Sequence, residues 1–137
     1  MSQTPIFDSL IEYNKSSNGY FRIPGHRFER GIPKKFRDFA GDSIFTLDIT
    51  ETPLADDLHN PKGVIAESQK LTAAAFGARE SFYLVNGTTC GNQSMIIAAC
   101  ADAARSNDSS LSSTPRILIP RNAHKSVLAG LIMSGAE

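Results

Sequence analysis

Asn86-Gly87-Thr88-Thr89 stands between a short apolar run, Ser81 to Val85, and a segment whose apolar residues take up helical spacing from about Cys90. A strand that delivers glycine and two threonines into the start of a helix makes an anion site. Unpaired backbone N–H groups point outward there and the helix dipole is positive. Glycine lets the backbone approach closely, and the two hydroxyls add donors. Threonines also cap helices routinely, so the loop taken alone is either a phosphate cradle or a cap. The spacing Gly-x-x-x-x-Gly-Lys-Ser/Thr is absent, and Gly87 to Gly91 does not fit Gly-x-Gly-x-x-Gly, which tells against a nucleotide.

A second apolar run, Arg116 to Pro120, is followed by Arg121-Asn122-Ala123-His124-Lys125-Ser126. This loop takes the equivalent place at the carboxyl edge of a sheet, where open α/β folds bind ligands, so two loops converge on one crevice. His124 can stack flat on a cofactor ring or move a proton there; it can equally be a solvated loop histidine. Lys125 falls in the first turn of a helix and reads as a surface charge, or a phosphate or partner contact, rather than a Schiff-base lysine. Glu51, Asp56, Asp57, His26 and His59 show no helical His-x-x-x-His or Cys-x-x-Cys spacing, so no metal is expected. Pro24-Gly25-His26 and Asp56-Asp57-Leu58-His59 are read instead as polar loops that line a cleft or cap helices.

The elements that must position these residues alternate. Ile6, Phe7, Leu10 and Ile11 mark a leading helix over residues 5 to 15, broken at Ser17-Asn18-Gly19. From 20 to 60 the chain is interrupted by Pro24-Gly25, Gly31-Ile32-Pro33 and Thr52-Pro53, and Ile44 to Ile49 is the best strand in it. Asn60-Pro61 has the form of an N-cap followed by proline, predicting a helix with Val64, Ile65, Leu71, Ala74 and Ala75 on its apolar stripe and Gly77 at its end. Strand 81–85, the turn at 86–89, a helix from about Cys90 to Arg105, a flexible Ser106 to Thr114 connection, strand 116–120 and a helix over 123–133 follow. That order predicts an α/β fold with a mostly parallel sheet and flanking helices. Two strands are too few for such a sheet, and Ser134-Gly135-Ala136-Glu137 stands where a third is expected, so the sequence reads as truncated.

The 137 residues carry 14 basic and 14 acidic side chains, so no global field draws the chain to nucleic acid or to an anionic membrane. No apolar run approaches the ~20 residues of a membrane span, and the first residues lack the basic and apolar regions of a signal peptide. A cytoplasmic location is expected, with Cys90 and Cys100 as reduced thiols.

Taken together, the motifs resemble those of the Orn/Lys/Arg decarboxylases, which use pyridoxal 5'-phosphate on the aspartate-aminotransferase fold. Phe21-Arg22-Ile23-Pro24-Gly25-His26, Asp48-Ile49-Thr50-Glu51, Asp56-Asp57-Leu58-His59, Phe76-Gly77-Ala78, Ser81 to Thr89, and Arg121 to Ser126 with Gly130-Leu131 match in order and spacing over nearly the whole chain. Ala55 and the long Ser106 to Thr114 connection depart from the family pattern. The resemblance implies that Asn86, Gly87, Thr88 and Thr89 hold the cofactor phosphate and that His124 stacks on the pyridine ring. It implies residues 1–59 as an N-terminal arm and irregular segment, and 60–137 as the start of the cofactor-binding major domain. It further implies a basic amino acid as substrate (arginine, lysine or ornithine), a place in polyamine metabolism, and a homodimer or higher homo-oligomer in the complete enzyme. The family's attachment lysine and the aspartate that pairs with the pyridine nitrogen lie beyond residue 137, so this stretch is expected to be inactive alone. A non-catalytic phosphate-binding or subunit-pairing module, and an unrelated α/β phosphate-binding domain, are the rival readings.

Overall fold

A computed structural model of the chain describes residues 3–15, 23–27, 30–106 and 114–137. The turn formers Ser17-Asn18-Gly19, the pair Phe21-Arg22, and 107–113 of the serine-rich connection lie outside the described residues. The chain divides into two compact units, Met1–Tyr83 and Leu84–Glu137.

In the first unit, α1 (Pro5–Lys15) occupies the span its apolar spacing predicts and packs on α4 (Val64–Phe76). It buries Pro5 and Tyr13, while Phe7 and Ile11 stay exposed. Two short helices follow: α2 (Lys34–Ala40), which begins after Pro33, and α3 (Ser43–Thr46). The strand expected over Ile44 to Ile49 is therefore replaced, in its first half, by a turn of helix. Local bonds win over β-branched propensity here. Arg37 makes a two-pronged pair with Asp42 at 2.7 and 3.0 Å, and the Thr46 hydroxyl donates to the Ser43 carbonyl at 2.7 Å. That pairing, through the guanidinium hydrogen bond, holds the Asp42 carboxyl below its ordinary range. Phe45, buried, takes edge-on ring contacts from Phe36 and His26.

The helix expected at Asn60-Pro61 starts later, at Val64 after Gly63, and the capping group comes from elsewhere. Asp56 Oδ1 accepts the N–H of Lys62 at 3.1 Å, and Oδ2 accepts those of Gly63 at 2.8 Å and Ile65 at 3.0 Å. Three orphan donors at the start of α4 are thus met by one carboxylate, which agrees with the reading of this loop as a helix cap. Asp56 itself takes φ +70°, a region that aspartate tolerates better than most residues. Gly77, at φ +64°, ends α4 as its sequence position predicts. Beyond it the Tyr83 hydroxyl lies 2.6 Å from Ser68 Oγ and 2.8 Å from Thr72 Oγ1, fixing the segment after Gly77 to α4.

The second unit contains α5 (Gly87–Ser106), a segment over 114–120 that is neither helix nor strand, and α6 (Lys125–Ser134), with α5 and α6 packed together. Cys100 is buried on α5, and both cysteines are free thiols. The turn predicted at 86–89 is tighter than expected: Gly87, Thr88 and Thr89 already form the first turn of α5. Among the described residues 81–84 and 114–120 are neither helix nor strand, and Thr52↔Asp56 is an isolated bridge. Parallel strands exist only with a neighbour to pair with. One fragment of such pairing is present. The Ile117 N–H donates to the Glu137 carbonyl and the Glu137 N–H to the Pro115 carbonyl, both at 2.9 Å, the alternation of a parallel ladder around Arg116 and Glu137. Arg116 Nε lies 3.7 Å from Glu137 Oε2. No helix among the described residues is long and apolar enough to cross a membrane.

Asp56 sets a pH dependence. Desolvation pushes its carboxyl upward, but the backbone donors from Lys62, Asp57, Gly63 and Ile65 outweigh it and bring the pKa from 3.8 to about 2. A depressed pKa stabilises the fold fully above the unfolded value and loses that contribution as the pH falls through the folded one. Asp56→Asn should therefore unfold at lower urea than the parent chain near pH 6, with the difference shrinking as the pH falls from about 4 to about 2. An equal difference at both ends of that range would refute the assignment.

Candidate functional site

Gly87 opens α5 at φ +68°, a left-handed conformation that side chains resist, and directs the following N–H groups along the axis of a 20-residue helix. Asn86, Thr88 and Thr89 are exposed. Neither threonine hydroxyl has a hydrogen-bond partner among the described residues, so neither serves as the helix cap that their type alone allows. The positive end of α5 thus carries donors that have no partner among the described residues. That donor set fits a doubly charged phosphate.

His124 is the N-cap of α6. Its backbone is extended, at φ −64° and ψ 149°, and its ring Nδ1 accepts the N–H of Ser126 at 3.2 Å. The ring is exposed, but its position is not that of a free loop side chain. Ser126 Oγ lies 2.9 Å from the same Nδ1, and Asn92 Nδ2 on α5 donates to Ser126 Oγ at 2.8 Å. Asn92 and Thr88 are four apart and share one face of α5. The His124 motif is thus bonded to α5 at Asn92, one turn after Thr88. Lys125, the first residue of α6, is exposed, as are Arg121 and Asn122.

Asn92 and Ser126 were not singled out as functional by the sequence reading. Ser126 was visible only as the end of the His124 motif, and Asn92 as one of several polar residues early in its helix. Their pairing spans 34 residues, so no local spacing could disclose it.

The first unit gathers other polar residues that the sequence marked. His26 Nε2 lies 3.1 Å from Asp48 Oδ2, joining the Pro-Gly-His and Asp-x-Thr-Glu stretches. Glu51, Asp57 and His59, all exposed, place one ligand-type atom each within 4.8 Å of one another. His59 Nδ1 is 3.7 Å from Glu51 Oε1 and from Asp57 Oδ1, and these oxygens also accept the Leu58 and His59 N–H groups. The cluster holds its own loop together.

The sequence profile of the Orn/Lys/Arg decarboxylase major domain matches residues 4–137. The chain belongs to the Orn/Lys/Arg decarboxylase family. Arginine decarboxylase of Bacillus anthracis is 38% identical over 135 residues, covering 98% of this chain and 25% of the relative. An uncharacterised protein of Bacillus subtilis, YaaO, is 40% identical over 137 residues, again 98% of this chain and 25% of the relative. The biodegradative arginine decarboxylase of Escherichia coli is 30% identical over 139 residues, 97% of this chain and 17% of the relative. This member of the Orn/Lys/Arg decarboxylase family therefore spans about a quarter or less of the length of these relatives, and it corresponds to their N-terminal portion.

The backbone at Gly87 offers a test independent of any ligand. Gly87→Ala should cost about 1–2 kcal/mol of stability, because alanine pays the left-handed penalty at φ +68°. Gly87→Asn, which tolerates that region, should cost less. Thermal unfolding of the two variants distinguishes them, and equal losses would show that the left-handed turn is not retained.

Proposed function

We propose that this chain forms the phosphate-anchoring and ring-stacking part of a pyridoxal-5'-phosphate-dependent decarboxylase acting on a basic amino acid. The observation that carries the proposal is the start of α5: Gly87 in a left-handed turn, followed by exposed Thr88 and Thr89, whose hydroxyls have no partner among the described residues. In this reading Asn86, Gly87, Thr88 and Thr89 bind the cofactor phosphate through backbone N–H and hydroxyl donors. His124 lies against the pyridine ring and fixes its plane. Pyridoxal 5'-phosphate, when bound, supplies the electron sink for loss of the α-carboxylate. The residues of this stretch hold and orient the cofactor; Lys125, at the first turn of α6, contributes charge rather than attachment.

Arginine is the favoured substrate among arginine, lysine and ornithine, because three relatives at 37–38% identity are named arginine decarboxylases. The proposed fold is a mostly parallel sheet with flanking helices. Support comes from the parallel bonding pattern of Pro115 and Ile117 with Glu137. Residues 60–137 would begin the cofactor-binding domain and 1–59 form an arm, in a cytoplasmic enzyme that acts as a homodimer or larger homo-oligomer.

Pyridoxine 5'-phosphate tests the phosphate site without confusion, because it lacks the aldehyde that reacts with any exposed lysine. Titrated against the purified chain, it should shift the amide resonances of Gly87, Thr88 and Thr89 first, and inorganic phosphate should shift the same set. Removing both hydroxyls by Thr88→Ala with Thr89→Ala should weaken binding by roughly tenfold or more, given about 1.5–3 kcal/mol for a hydrogen bond to a charged group. Binding left unchanged by the double variant would overturn the assignment.

A further inference from the structure

Ser126 is 2% exposed and is the polar side chain buried where α6 starts against α5. Its hydroxyl sits between two groups, Asn92 Nδ2 at 2.8 Å and His124 Nδ1 at 2.9 Å, while its own backbone N–H points at the same Nδ1 from 3.2 Å. The directions of these bonds follow from what each group can do. A backbone N–H only donates, so Nδ1 must present a lone pair to it. The Ser126 hydroxyl then donates its hydrogen to Nδ1 and keeps its oxygen lone pairs for the Asn92 amide. The reverse chain, with the asparagine oxygen accepting and Nδ1 protonated, would aim the Ser126 N–H at another N–H. A neutral ring held in this way carries its hydrogen on Nε2.

The spacing of the two helices makes this arrangement rigid. One turn beyond Ser126, Gly130 is buried, and a Cβ there would stand 2.7 Å from Ile96 Cδ1 and 3.4 Å from the Gln93 Cα. Asn92 and Ile96 are four apart on α5, as Ser126 and Gly130 are on α6, so each helix offers one polar and one packing contact along a single face. The glycine allows the close approach that lets a side chain as short as asparagine reach the serine.

We propose that Asn92 and Ser126 are positioning residues for His124: the relay Asn92–Ser126–His124 holds the imidazole in one orientation and in the Nε2–H tautomer. Nδ1 is committed to the fold, and any exchange of a proton or hydrogen bond with a ligand runs through Nε2 or the ring face. The role of His124 as the ring-stacking residue rests on the function proposed above; the tautomer and the relay do not.

Nitrogen NMR of the histidine rings in the 137-residue chain, at about pH 9 where unperturbed imidazoles are neutral, reads the tautomer directly. The expected spectrum has His124 Nδ1 at the pyridine-like position and Nε2 at the pyrrole-like one. The opposite assignment, or the averaged signals of a freely exchanging ring, would overturn the relay. Ser126→Ala and Asn92→Ala should each move His124 towards averaged signals and greater ring mobility, and should weaken pyridoxine 5'-phosphate binding by roughly 2- to 10-fold, the range for one lost neutral hydrogen bond. The parent chain needs no variant for the tautomer measurement, so a variant that fails to fold does not remove the test. A single Nε2–H tautomer in a chain that binds no pyridoxine 5'-phosphate would uphold the relay and refute the cofactor reading. Variants in which the His124 signals stay unchanged would refute the positioning role.

Discussion

The hydroxyl of Ser126, closed off between two helices, is the contact on which the arrangement of the candidate site depends. A buried hydroxyl must spend both its donor and its acceptor capacity, because an unmade bond in that setting costs about 1–3 kcal/mol. Ser126 meets that requirement by accepting from Asn92 on α5 and donating to His124 at the start of α6. The same contact therefore registers α5 against α6 and orients the imidazole. Gly130 makes the register possible by letting the helices approach to within the reach of asparagine. The donors of Gly87, Thr88 and Thr89 sit one turn before Asn92 on the same helix, so their placement relative to His124 follows from that register.

A comparable economy operates in the first unit through Asp56. Its single carboxylate satisfies three backbone donors at the start of α4, which is why that helix needs no cap from Gly63 or from the Asn60-Pro61 pair before it. The loop that carries Asp56 is held in turn by Glu51, Asp57 and His59 and by the hydrogen bond from the Ser9 hydroxyl to the Leu54 carbonyl. Glu51, Asp57 and His59 thus help to shape an irregular stretch of chain. The density of charge in this loop reflects how much of its backbone would otherwise lack partners.

Large apolar side chains remain exposed in both units, among them Phe39, Phe76, Phe82, Leu118 and Ile132. Leu118 lies on the segment 114–120, where Ile117 and Ile119 are only half-buried, so the segment is apolar on both sides. Both sides of this segment therefore present apolar side chains that the described residues leave at least partly uncovered.

Several features were legible from the sequence because their causes are local. The spacing of Ile6, Phe7, Leu10 and Ile11 marked α1, Gly77 marked the end of α4, and the change from a short apolar run to helical spacing marked α5. The family, too, is written in the order and distances of short motifs, from Pro24-Gly25-His26 to Arg121–Ser126. Ile44 to Ile49 misled because β-branched residues favour strands only where another strand is present to pair with, whereas the Arg37–Asp42 pair supports a local turn of helix. Asn60-Pro61 misled because a cap can be supplied from a distance, as Asp56 supplies it. Only the tertiary structure decided that the Thr88 and Thr89 hydroxyls find no partner among the described residues and that His124 is tied through Ser126 to Asn92. Those relations join residues up to 34 positions apart through hydrogen bonds a few ångströms long, and such contacts come into being only when the helices that carry them pack.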